Sequence, residues 1–216
     1  MNAEVIKVCG MREAENIRAV EALGIDWMGF IFWKASRRYV GDRPSYLPVH
    51  ARRVGVFVDA TVDDIRLQVS TFGLDVIQLH GHETPAFVQQ LREALPLTIV
   101  KALNVSTPDD LRQAEPYEGI ADALLFDTRT PLPGGSGQQF DWSILADYRG
   151  KTPFLLSGGI GPGDADRLRQ FHHPRCMGID LNSRFETEPA VKDVEALAQF
   201  LRTLRPSPSN PAPFPR

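Results

Sequence analysis

The chain has 216 residues, 43% of them hydrophobic and 24% charged, ordinary globular usage that excludes a wholly disordered protein. Its 24 basic and 27 acidic residues leave a net charge of -3, which supplies no electrostatic footprint for nucleic acid. The two cysteines, Cys9 and Cys176, stand far apart without metal-ligand spacing, which excludes a disulfide scaffold and a zinc module and fits a reducing compartment.

Eight short apolar runs rich in β-branched and aromatic residues follow one another, at residues 5–9, 27–32, 53–58, 76–80, 98–103, 123–127, 153–157 and 177–181. Runs of this length, bounded by turn residues, read as strands buried on both faces. Helix signals fall between them. Thr61 with Asp64 opens one before Ile65, Val69 and Phe72. Thr84-Pro85 opens another, with Phe87, Val88, Leu91 and Leu95 on one stripe. Thr107-Pro108 repeats the device, with Asp110 completing a capping box. A short, weakly amphipathic helix is expected after Pro44, and a final one opening near Pro189 with Val194, Leu197, Ala198 and Leu201.

Such alternation argues for βα units around a parallel sheet. Eight units in this length predict an α/β fold, a single-domain (β/α)8 TIM barrel at the small end of its size range, spanning residues 1–204. Residues 205–216 carry Pro206, Pro208, Pro211, Pro213 and Pro215 and read as a proline-rich, disordered tail. The start, Met1-Asn2-Ala3-Glu4, has neither the basic nor the apolar region of a secretory signal, and no apolar run approaches the ~20 residues of a membrane span. A cytoplasmic protein without membrane or nucleic-acid partners is expected.

In a barrel, the active site lies where the strands end at their carboxyl side. Those ends carry Cys9, Phe32, Asp59, His80, Leu103, Asp127, Ser157-Gly158-Gly159 and Asp180. Asp59 reads as a loop or capping residue. Gly134-Gly135-Ser136-Gly137 follows the sixth strand and Ser157-Gly158-Gly159 the seventh. Glycine loops let backbone amides approach phosphate oxygens, and Asn182-Ser183-Arg184 after the eighth strand adds a helix start and a cation. The expected phosphate site therefore comprises Gly135, Ser136, Gly137, Gly158, Gly159, Asn182, Ser183 and Arg184, with plain tight turns as the alternative.

The motifs resemble those of the phosphoribosylanthranilate isomerase family of tryptophan biosynthesis along nearly the whole chain, the proline-rich tail excepted. The resemblance rests on Lys7-Val8-Cys9-Gly10-Met11, Gly29-Phe30-Ile31-Phe32, Ser36-Arg37-Arg38-Tyr39-Val40 and Val54-Gly55-Val56-Phe57-Val58. It continues through Gln78-Leu79-His80-Gly81, Phe126-Asp127-Thr128, the 134–137 loop with Phe140-Asp141-Trp142, Leu156 to Gly159, Gly178-Ile179-Asp180 and Val191-Lys192-Asp193. It implies an Amadori rearrangement of a phosphorylated small-molecule aminoaldose, with no metal and no organic cofactor, by a monomer or homodimer. It further implies Cys9 as general base, Asp127 as general acid and Arg38 against the anthranilate carboxylate.

The chemistry sets its own demands. An acid must carry its proton near neutral pH, so Asp127 needs surroundings that disfavour its charge. Only the thiolate of Cys9 accepts a proton, and Lys7, two residues earlier on the same strand face, should favour it. His80 either hydrogen-bonds substrate or packs the barrel mouth. Asp180 either faces substrate or organises the eighth loop. Arg37 reads as a solvated loop charge, Cys176 as a structural thiol, and His172-His173 as sitting at a helix end where the dipole favours them. Arg184 stands where the family commonly has glycine, so its loop either avoids a positive φ or the guanidinium joins the phosphate site. Three other functions compete. A histidine-pathway aminoaldose isomerase would usually pair two carboxylates, against which Cys9 speaks. A Schiff-base aldolase would use Lys101, which is expected inside the barrel. A non-catalytic phosphometabolite-binding barrel would not need Cys9, Asp127 and Arg38 together.

Overall fold

The computed structural model describes residues 5–128 and 141–205. Eight parallel strands close into a barrel in chain order, β1 (Val5–Cys9), β2 (Trp27–Ile31), β3 (Arg52–Phe57), β4 (Val76–Leu79), β5 (Thr98–Val105), β6 (Ala123–Thr128), β7 (Phe154–Leu156) and β8 (Cys176–Leu181). Closure is made by β1 on β8, where Lys7 is the register partner of Asp180. Every strand lies within two residues of its predicted bounds.

The strands obey the two-residue period strictly, and this decides which side chains reach the site. One parity packs outward under the helices: Ile6 and Val8, Ile77 and Leu79, Leu124 and Phe126, Phe154 and Leu156, and Ile179 and Leu181. The other fills the barrel with Cys9, Val54, Val56, Val76, Val100, Ala102, Ala123, Leu125 and Leu155. Extending the second parity to the strand ends turns Lys7, Gln78, His80, Asp127, Ser157 and Asp180 inward as well.

The helices are α1 (Ala14–Glu21), α2 (Val62–Phe72), α3 (Pro85–Ala94), α4 (Ala165–Gln170) and α5 (Val194–Leu204). Thr61 caps α2 by accepting from the Asp64 amide at 3.1 Å, and Thr84 caps α3 by accepting from the Phe87 amide at 3.2 Å. The segment opened by Thr107-Pro108 is a 3-10 helix, Pro108–Tyr117, in place of the expected α-helix. Its inward residues Leu111, Ala114 and Tyr117 recur every third position, the 3-10 period, and Pro116 removes a donor from its last turn.

Residues 44–51 contain no helix, correcting the expectation after Pro44. Their amides are satisfied instead by the Glu21 carboxylate, which accepts from Val49, His50 and Ala51 at 2.7, 2.6 and 3.1 Å. The last helix opens at Val194, capped by Asp193, and not near Pro189. Between β8 and α5 the chain forms a small antiparallel hairpin, β9 (Glu186–Glu188) with β10 (Val191–Lys192), turned through Ala190 at φ 72°. No helix among the described residues is long and apolar enough to cross a membrane.

Candidate active site

The carboxyl ends of the strands form a polar floor inside the barrel mouth. Lys7 is fully buried and its ammonium meets Asp180 Oδ1 at 2.7 Å. It also lies close enough to Cys9 to act on its charge. Burial alone would discharge Lys7, but Asp180 and Cys9 outweigh it and hold the ammonium above its ordinary range. Cys9 is buried, and burial pushes its thiol up, while Lys7 and Lys192 pull towards the thiolate. Lys7 thus acts in the expected direction, and burial opposes it more strongly. Gly29 on the neighbouring strand makes room for this thiol, since a Cβ there would lie 2.7 Å from Cys9 Sγ.

On the far side of the barrel, Asp127 Oδ1 accepts from the Thr128 amide at 2.8 Å, and Oδ2 lies 3.3 Å from His80 Nε2. Gln78 Nε2 sits 3.1 Å from His80 Nδ1, yet Gln78 Oε1 and His80 Nε2 are buried and make no hydrogen bond to a described residue. His80 is thus a half-satisfied imidazole aimed at the cavity beside Asp127. Asp180 completes the floor, its Oδ2 3.4 Å from the Ser157 hydroxyl. Its charge acts on Cys9, and that of Asp127 acts on it, so the floor is one electrostatic unit.

Arg38, half-buried in the loop after β2, is held bidentately by Glu186, through Nε at 2.8 and 3.0 Å and Nη2 at 2.6 Å. Arg37 is exposed and makes no such contact.

Of the expected phosphate residues, Gly158 and Gly159 follow β7 with φ of 88° and 68°, the region only glycine enters without strain. Gly158 also lies against Thr128, whose amide would be 2.9 Å from an added Cβ. Asn182 and the 3-10 turn Ser183–Phe185 follow β8. Arg184 takes no positive φ, so its loop avoids that conformation. Its side chain lies across Gly161, with Nε 3.2 Å from an ideal Cβ there, so the loops after β7 and β8 adjoin. Gly135, Ser136 and Gly137 lie outside the described residues, as does the tail beyond residue 205.

Several residues near the site carried no sequence assignment. Lys192 is fully buried and bonds Asn182 Oδ1 at 2.8 Å and Glu186 Oε1 at 2.6 Å. Its only sequence signal was its place in Val191-Lys192-Asp193. Two other expectations change. Lys101 is not inside the barrel. Its neighbours Ile99 and Leu103 face outward, so Lys101 does too, buried against Glu83 at 2.9 Å and the carbonyl of Gly81 at 2.8 Å. His173 lies beyond the end of α4, packing on Phe154 at a ring distance of 5.0 Å.

A family model described as N-(5'phosphoribosyl)anthranilate (PRA) isomerase matches residues 6–203. The chain belongs to this family. Proteins of the isomerase family from Phocaeicola vulgatus and Parabacteroides distasonis are 53% and 47% identical to it, each aligned over 93% of this chain and over 98% and 93% of their own lengths. A crystal structure of phosphoribosyl anthranilate isomerase from Thermotoga maritima superposes with a TM-score of 0.78 at 30% identity, covering 93% of this chain and 98% of that one. Another isomerase structure holds reduced 1-(o-carboxyphenylamino)-1-deoxyribulose 5-phosphate, with a TM-score of 0.75 at 27% identity, covering 93% of this chain and 97% of that one. The (β/α)8 barrel seen here is the fold these isomerases share.

Proposed function

We propose that the protein converts N-(5'-phosphoribosyl)anthranilate to 1-(2-carboxyphenylamino)-1-deoxyribulose 5-phosphate, the isomerase step of tryptophan biosynthesis. The observation that carries the mechanism is the inward parity of Cys9 and Asp127, which brings a thiol and a carboxyl to one cavity from separate strands.

Asp127 gives its proton to the furanose ring oxygen as the C1'–O bond breaks, the electrons being supplied by the anthranilate nitrogen. The product is an open-chain iminium. Cys9 as thiolate then removes the C2' proton, and its electron pair neutralises the iminium to an enolamine. Tautomerisation returns a proton to C1' and yields the 2'-ketone, so the net change is isomerisation. General acid and base groups of this kind each contribute about 10²–10⁴-fold. Burial favours the thiol form of Cys9, and the ammonium groups of Lys7 and Lys192 favour the thiolate in which it takes the C2' proton.

His80 offers Nε2, 3.3 Å from Asp127 Oδ2, to the substrate or to Asp127, and Asp180, tied to Lys7, organises the charge beneath them. Arg38 holds the anthranilate carboxylate. Gly158, Gly159, Asn182, Ser183 and Arg184, with Gly135, Ser136 and Gly137, surround the phosphate. Every step uses side chains alone, without metal or organic cofactor. A base that must remain a free thiol suits the reducing cytoplasm.

Turnover of freshly generated phosphoribosylanthranilate, followed by its fluorescence decay, tests this reading. Wild type should consume it well above the spontaneous rate, and Cys9→Ala and Asp127→Asn should each lower kcat by about 10²-fold or more. Full activity in both variants would move the acid–base pair elsewhere. A folded wild type with no turnover would overturn the function.

A further inference from the structure

We propose that Glu186 and Lys192 form a positioning clamp that turns one edge of the Arg38 guanidinium towards the carboxylate of the substrate. The inference rests on the reading of Arg38 given above.

Three charged groups meet here with little solvent: the side chains of Arg38, Glu186 and Lys192 are 13%, 6% and 0% exposed. Glu186 grips the guanidinium by Nε and Nη2. Nη1 makes no hydrogen bond to a described residue, so the Nη1/Nη2 edge remains available for two parallel bonds to a second carboxylate. Two cations against one carboxylate leave a charge of +1 in a buried cluster, and an unbalanced buried charge is costly. One carboxylate from a ligand cancels it.

The clamp is anchored on both sides. Lys192 donates to Glu186 Oε1 at 2.6 Å and to Asn182 Oδ1 at 2.8 Å, and its backbone amide donates to Asn16 Oδ1 at 2.8 Å. Glu186 Oε1 also accepts from the Ala190 amide at 3.2 Å. Arg38 runs over Gly10, where an added Cβ would lie 2.7 Å from Arg38 Cδ and 2.9 Å from Asn182 Oδ1. The hairpin of β9 and β10 thereby ties the carboxylate-binding arginine to the residue after Cys9 and to the loop after β8. Burial opposes the charge on Glu186, but Arg38 and Lys192 hold its carboxyl below the usual range, so Glu186 stays ionised, while burial pulls Lys192 below its ordinary range against the attraction of Glu186.

A competing account makes Glu186 a rival anion that the substrate must displace. The two differ in sign. Affinities of reduced 1-(o-carboxyphenylamino)-1-deoxyribulose 5-phosphate, and of the same compound lacking the ring carboxyl, would be measured by calorimetry on wild type and Glu186→Gln. Wild type should prefer the carboxylated compound by about tenfold or more, the discrimination expected of charge-assisted hydrogen bonds. In Glu186→Gln the amide keeps one acceptor for Lys192 and releases the guanidinium. The preference should then fall several-fold, with affinity for the carboxyl-free compound unchanged. Glu186→Asp keeps the charge but withdraws it by one methylene, and the preference should fall there too.

A preference that rises or holds in Glu186→Gln overturns the clamp, as does equal loss of affinity for both compounds. A preference retained in full by Glu186→Asp also overturns it, because charge alone would then suffice. Wild type binding both compounds equally overturns the reading of Arg38 and the clamp with it.

Discussion

Lys7 and Asp180 are register partners on the two strands whose pairing closes the barrel, and their side chains meet inside it at 2.7 Å. The pair lies beneath Cys9 and couples barrel closure to the charge felt by the thiol. Removing one member leaves the other buried without a counter-charge, which is costly.

Replacing Lys7 by Met should therefore make Cys9 harder to ionise. The ammonium favours the thiolate, so its loss raises the thiol's pKa. The carboxylate of Asp180, no longer neutralised, pushes the same way. Alkylation of Cys9 by iodoacetamide across pH reads this directly, in a Cys176→Ala background because burial pushes the Cys176 thiol up to about 11 and it would add a second transition. The midpoint should move upward by about one unit or more. An unmoved midpoint would show that Lys7 does not tune the thiol.

Gly29→Ala should damage the site through sterics alone. The new Cβ would lie 2.7 Å from Cys9 Sγ and 3.1 Å from Cys9 Cα, so the thiol must swing aside. Displacement of a reacting atom by about 1 Å can cost about 10² in rate. We expect kcat to fall by that order, with stability lowered by about 1–3 kcal/mol in urea titration. Near wild-type kcat would mean that the thiol's position is not critical.

Lys101 and Glu83 give a contrasting case, a buried pair outside the barrel interior, 2.9 Å apart with both side chains 2% exposed. Lys101→Met should destabilise the fold by about 3–5 kcal/mol, because Glu83 is then buried alone. Adding Glu83→Leu should restore part of that loss. The ammonium already donates to Gly81 O and Glu83 Oε2, so borohydride with a carbonyl substrate should trap no adduct on Lys101. A trapped adduct would revive Schiff-base chemistry.

Much of the barrel was legible in one dimension. The run at residues 5–9 is β1 without change, and Thr61 and Thr84 cap the helices that their side chains announced. These are local matters, since a buried strand is a short apolar run and a cap is a hydrogen bond over three residues. Less visible was the segment opened by Thr107-Pro108, where an apolar repeat of three and Pro116 select a tighter helix. The last helix opens at Val194 and not near Pro189, because the residues before it form a hairpin whose Glu186 and Lys192 are recruited by partners that lie far away in the chain.

The sequence by itself determined the strands, their number and that Cys9, His80, Asp127 and Asp180 stand at their carboxyl ends, while the inward parity these residues share was read from the packed barrel. Family membership was equally readable from the motifs in order. Only the tertiary structure decided which charges pair. Arg38 meets Glu186 across 148 residues, Lys7 meets Asp180 across 173, and Lys101 turns to Glu83 on the outer side of the sheet. The reason is physical. Backbone periodicity acts within a few residues, whereas the partner of a buried charge is set by where barrel closure brings a second one, and no local pattern encodes that distance.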